Sequence, residues 1–106
     1  MNRIQKDRNI DGFTRSDDSD KVDYTLVPRF MLDRSAKLYT DGAKVHGRNN
    51  WKLGYTDSAV ESFKASAYRH FLAWLDGEED EDHYAAVLFN MNGVENAKAR
   101  QKLSEG

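Results

Sequence analysis

Apolar side chains return at helical spacing in three stretches of this chain, and the segments between them carry turn chemistry. The first stretch opens near Pro28, whose missing N–H is harmless in a first helical turn. Met31, Leu32, Ser35, Ala36, Leu38, Tyr39 and Ala43 follow at helical spacing. Gly42 weakens the middle, and Gly47 is placed to end the helix. The second stretch begins at Ser58-x-x-Glu61, which reads as a capping box. Val60, Phe63, Ala67, Phe71 and Trp74 then make one apolar stripe. Ala59, Ser62, Ser66 and Ala73 lie beside it and let another helix approach closely. Gly77 is the expected C-terminal cap. The third stretch runs from His83 to about Asn96, with Asp80 or Asp82 as N-cap. It is apolar almost all round from Tyr84 to Phe89, and again at Met91, which predicts a central helix.

Residues 47–57 join the first two helices. Gly47, Asn49, Asn50 and Gly54 give this segment its turn character, yet Trp51 and Tyr55 sit inside it. No alternating strand pattern appears. The expected fold is all-α, a small bundle of three to four helices over residues 23–97. Residues 1–22 are polar and charged apart from Ile4, Ile10 and Phe13, and predict a flexible arm. Residues 98–106 form a polar tail that could continue the third helix before fraying.

Composition narrows the setting. A chain of 106 residues suits one domain with a modest core, so oligomerisation would help its stability. Sixteen basic residues against eighteen acidic ones leave a net charge of -2, with no global pull toward DNA or RNA. The absence of cysteine excludes disulfides and thiolate zinc sites. No apolar run approaches the ~18 residues of a membrane span, and the N-terminus has no signal-peptide core. A soluble protein of the cytoplasm is the expectation.

Three groups of residues carry candidate chemistry. Asp76, Glu78, Glu79, Asp80, Glu81 and Asp82 put six carboxylates within seven residues, with His83 next and His70 one helix back. Such a turn could hold Mg²⁺ or Mn²⁺, the latter tolerating imidazole as well as carboxylate. An acidic turn before a helix N-terminus is also favourable for the helix dipole alone. On the third helix His83, Ala86, Val87, Asn90 and Val94 share one face, so His83 and Asn90 project together. Asn90 in so apolar a helix needs a partner, whether backbone, side chain or ligand. Finally, Lys44, His46, Arg48 and Lys52 surround Asn49, Asn50 and Trp51. Cations with an aromatic ring in one loop suit a nucleotide, the cations for phosphate and the ring for the base.

Taken in order, YTDGAKVHGRNNW (Tyr39 to Trp51), Gly54, Tyr68-Arg69-His70, Ala73, Gly77-Glu78, Asp82-His83 and Asn90 form a familiar series. It resembles the phage and prophage family of dATP/dGTP diphosphohydrolase N-terminal domains, over about residues 22–95. The resemblance implies kinship with the all-α MazG-like pyrophosphatases. It also implies hydrolysis of purine deoxynucleoside triphosphates to monophosphate and pyrophosphate, in the cytoplasm of a phage's bacterial host. Lys44, Asn50 and Trp51 match the family's loop motif. Arg69, His70, Glu78, Asp82, His83 and Asn90 match its helical motifs. The implied roles are Glu78, Asp82 and His83 as ligands of Mg²⁺ or Mn²⁺, with His70, Glu78 and Asp82 at the reaction. Tyr39, Lys44, Arg48, Asn50, Trp51, Arg69 and Asn90 would bind the nucleotide, in a chain expected to form a homo-oligomer. Two departures stand out. The second histidine of the family's HxxHxxxN is Ala86 here, and the EExxE of MazG-like enzymes is absent. They keep open a protein that binds a nucleotide or host defence signal without cleaving it, and a purely structural role.

Overall fold

The computed structural model describes residues 20–105. The arm expected over 1–22 therefore lies almost wholly outside the described residues. Three long helices carry the fold: α1, Arg29–His46; α2, Asp57–Leu75; and α3, His83–Glu105. Short 3₁₀ turns at Tyr24–Leu26 and Asn50–Leu53 precede α1 and α2, and no strand occurs among the described residues. The protein is a small all-α bundle. No helix among these residues is long and apolar enough to cross a membrane.

Helix ends follow local chemistry. Pro28 is the N-cap of α1 and so stands one position before the first helical residue, while Gly47 ends the helix at φ 95°. The helix runs unbroken through Gly42. α2 begins two residues earlier than the expected capping box: Thr56 is the N-cap, and its hydroxyl accepts the Ala59 N–H at 3.1 Å. Ser58 and Glu61 lie within the first turn instead. The reason is that Thr56 already offers the oxygen a cap needs, at the first position where the chain leaves extended geometry. At the far end the Gly77 N–H donates to the Trp74 carbonyl and the Glu78 N–H to the Ala73 carbonyl. With Gly77 at φ 75°, this is a Schellman motif. α3 continues to Glu105, so the polar tail is helical.

α2 and α3 form an antiparallel hairpin. His70 meets His83 at one end, and Gln101 donates to the Tyr55 carbonyl and the Asp57 carboxylate at the other. α1 lies along the first half of α3 in the same direction. Arg34 pairs with Asp82, Phe30 packs near Tyr84, and Tyr39 reaches Phe89 and Asn92. α3 is thus central, as its pattern predicts. Among the described residues the buried apolar side chains, Ala85, Ala86, Val94 and Ala97, all lie on it. The α2–α3 contact is close because it is made of small residues. A Cβ on Gly93 would stand 2.6 Å from the Phe63 ring.

The predicted stripe on α2 divides in two. Val60, Phe63 and Ala67 are half-buried. Phe71 and Trp74 are 42% and 51% exposed and stack on each other with ring centres 6.0 Å apart. With Tyr68, Leu72 and Leu75 also exposed, the C-terminal half of α2 presents apolar side chains to solvent.

Candidate functional site

The turn between α2 and α3 gathers one set of functional side chains. The Schellman turn at Gly77 reverses the chain, and Asp82 starts α3 by accepting the Ala85 N–H at 3.0 Å. This brings His83, buried in the first turn of α3, against His70 in the last turns of α2. The two Nδ1 atoms are 2.9 Å apart. The Nε2–H of His83 donates to Asp80 at 2.7 Å. That bond raises the His83 pKa above its ordinary value and lowers that of Asp80. Glu81 stands 3.9 Å from His70 Nδ1.

Donor atoms of His70, Glu81 and His83 lie within 4.8 Å of one another, and so do those of Glu78, Asp80 and His83. Imidazoles mixed with carboxylates in one small space fit a divalent cation. Asp82 is engaged elsewhere. The Arg34 guanidinium grips its carboxylate in a fork, with Nε–H donating at 2.8 Å, and the same group lies 4.4 Å from the centre of the Tyr84 ring. The Arg34 bond holds the Asp82 carboxyl below its usual range. Of the expected cation ligands, the structure therefore clusters His83 and Glu78 and turns Asp82 toward α1.

A second set lies where the end of α1 and the 47–54 loop meet α3. Gly47 and the left-handed Asn49 (φ 64°) fold the loop back, and the 3₁₀ turn carries Trp51 onto α1 and α3. The Tyr39 ring centre is 5.5 Å from Trp51 and 5.2 Å from Phe89, both edge-on. These rings wall a cleft of about 310 Å³ whose lining includes His46, Arg48 and Asn50. Asn96 and Arg100 donate to the Lys52 carbonyl and pin the loop to α3. Aromatic walls with cations at the rim can take a flat ring and an attached anion.

The remaining expected residues scatter. Lys44 is exposed near the end of α1 and is not part of the cleft wall, and Arg69 is exposed on α2. Asn90 is buried and donates to the Ala86 carbonyl one turn back at 2.8 Å, which meets its need for a partner. The cleft and the acidic turn share no lining residue. Six residues of helix put Phe89 about 120° round α3 from His83. Sequence reasoning did not single out Arg34, Phe89 or the direct bond from His83 to Asp80. Arg34 and Phe89 act through contacts distant in the chain, which spacing does not report. The three-residue step from Asp80 to His83 at a helix start was a readable sign.

No curated protein and no solved structure matches the chain. The family model described as dATP/dGTP diphosphohydrolase, N-terminal, matches residues 12–105, nearly its whole length. The motif series from the YTDGAKVHGRNNW loop to the paired histidines thus has its counterpart in an established family, and the chain belongs to the dATP/dGTP diphosphohydrolase N-terminal family.

Proposed function

We propose that this chain is a metal-dependent nucleotide pyrophosphohydrolase that converts purine deoxynucleoside triphosphates to monophosphates and pyrophosphate. The observation that carries the reading is the aromatic cleft with its basic rim, in a chain of this family. Trp51 and Tyr39 stack on the purine. Arg48 at the rim and Lys44, four residues before it, neutralise phosphate charge, and Asn50 takes a polar edge of the nucleotide. Glu78, His83 and their neighbours in the turn would hold Mg²⁺ or Mn²⁺, with His70 beside them. A bound divalent cation supplies Lewis-acid polarisation of a phosphoryl oxygen. Glu78, exposed beside His83, takes the proton of the attacking water. Asp82 positions the turn through Arg34 and the α3 cap.

The cleft and the turn share no lining residue, which supports a homo-oligomer in which the cleft of one copy works with the turn of another. The apolar outer side of α2 suits that self-association. The same separation favours, as a second reading, a protein that binds the nucleotide without cleaving it.

The test is a dATP and dGTP assay with and without Mn²⁺, following pyrophosphate and thermal shift together. Metal-dependent turnover is expected, lost in Trp51→Ala and in Glu78→Gln alone, and partly restored when the two variants are mixed. A thermal shift without turnover would establish the binding reading, and neither signal would end both.

A further inference from the structure

The histidine pair is more specific than the acidic run around it. We propose that His70, His83 and Glu81 form a site for a first-row transition-metal dication of the Mn²⁺, Fe²⁺ or Co²⁺ kind, selected over Mg²⁺. The two Nδ1 atoms are 2.9 Å apart. Donors bound at about 2.1 Å and at right angles stand ~3.0 Å apart, whereas a tetrahedral pair stands ~3.4 Å apart. That spacing is a hydrogen bond from His70 Nδ1–H to His83 Nδ1, and it equals the separation of neighbouring corners of an octahedron, so a dication can take the place of the shared proton. Imidazole nitrogen selects transition metals, and carboxylate with water suits Mg²⁺, so two imidazoles tip the choice. Two histidines and one carboxylate on one face of an octahedron leave further positions for water or phosphate oxygens.

Asp80 supplies the second, independent sign. By accepting the Nε2–H of His83 it fixes the ring so that the neutral form presents its lone pair at Nδ1, toward His70. A carboxylate behind a metal-binding histidine does the same in metalloproteins generally. The His83 side chain is only 6% exposed, so its direction is set by packing. Glu81, 3.9 Å from His70 and 57% exposed, is free to swing inward by about the ångström that coordination requires. His83 and Glu81 border a cavity of about 560 Å³ that Glu78, Trp74 and Arg34 also line, which gives an ion and a phosphate a way in. Asp82 is no part of the set, because Arg34 and the α3 cap hold it.

This assignment names the cation of the proposed hydrolase but is read without nucleotide, so loss of turnover with intact metal binding would overturn the enzyme alone. The experiment is a Co²⁺ titration of the purified full chain, followed by visible absorption and calorimetry. One Co²⁺ per chain is expected, with the weak bands of an octahedral ion, and no displacement by a hundredfold excess of Mg²⁺. His70→Ala should lower affinity a hundredfold or more. Glu81→Gln, at an exposed position that leaves the fold unchanged, should lower it about tenfold. Asp80→Asn should cost 10–100-fold, the usual loss for a carboxylate behind a histidine ligand. Parental Co²⁺ affinity in both His70→Ala and Glu81→Gln, or equal competition by Mg²⁺, would overturn the site.

Discussion

Towards α2, α3 presents Gly93 beneath the Phe63 ring and His83 against His70; towards α1, it presents the rings of Tyr84 and Phe89, with Asp82 paired to Arg34 at its start. The first contact has no slack. Phe63 lies over Gly93 where no Cβ fits, and Ala85 and Ala97 are almost wholly enclosed. The second is looser in construction. Tyr39 meets Trp51 and Phe89 in T-shaped contacts, and Arg34 with Asp82 is partly open to water. The cleft lies on this looser side, walled by Tyr39, Trp51 and Phe89. The tight side instead holds two histidines in fixed register, which a site with short donor distances needs.

The sharpest way to break this comparison is Gly93→Ala. Alanine favours a helix over glycine by about 1 kcal/mol, but overpacking costs ~1–3 kcal/mol and here meets a ring. A net loss of about 2 kcal/mol is expected, or a fall of roughly 10 °C in Tm by circular dichroism. A Tm equal to or above that of the parent would show that α2 and α3 separate easily, and the contrast would fail.

On the other side, Arg34→Ala should cost only about 1 kcal/mol at neutral pH, since both partners are partly exposed and solvent screens the pair. The Arg34 bond lowers the folded-state pKa of Asp82 below the unfolded value near 4. The stabilisation is therefore complete above that value and is lost as pH falls through the folded pKa. Urea unfolding of parent and variant should show a constant gap from pH 7 to about pH 5 that closes in stronger acid. A gap that persists undiminished at pH 2 would assign the effect to packing on Tyr84 instead.

The smallest effect concerns the start of α2. Thr56→Ala should cost somewhat under 1 kcal/mol through the lost cap, while Ser58→Ala should change stability by less than ~0.5 kcal/mol. The reverse order in thermal melts would restore the capping box at Ser58.

Much of the frame is legible in the sequence. Pro28, Gly47, Gly77 and Asp82 mark helix ends through backbone chemistry that acts within a few residues, and the all-round apolar face of α3 announces a central helix. Periodicity was less informative about the far end of α2. Phe71 and Trp74 fit the apolar stripe, yet the neighbours of this chain do not cover them. The site divides in the same way. His70 beside His83 follows from a hairpin whose turn length can be counted, and Trp51 near Tyr39 from a short loop folding back. Arg34 drawing Asp82 away, and Phe89 completing the cleft, depend on how α1 lies against α3. That arrangement is written in side-chain shape and not in spacing.

The two tryptophans of the chain are divided between these regions, Trp51 in the wall of the cleft and Trp74 beside the acidic turn. Each region thus carries its own fluorophore. Trp51→Phe and Trp74→Phe would each leave a single emitter. A base stacking in the cleft and a paramagnetic ion at the histidines would then be seen as separate quenching events. The protein is in this sense already labelled, and the order in which its two regions fill can be timed with light alone.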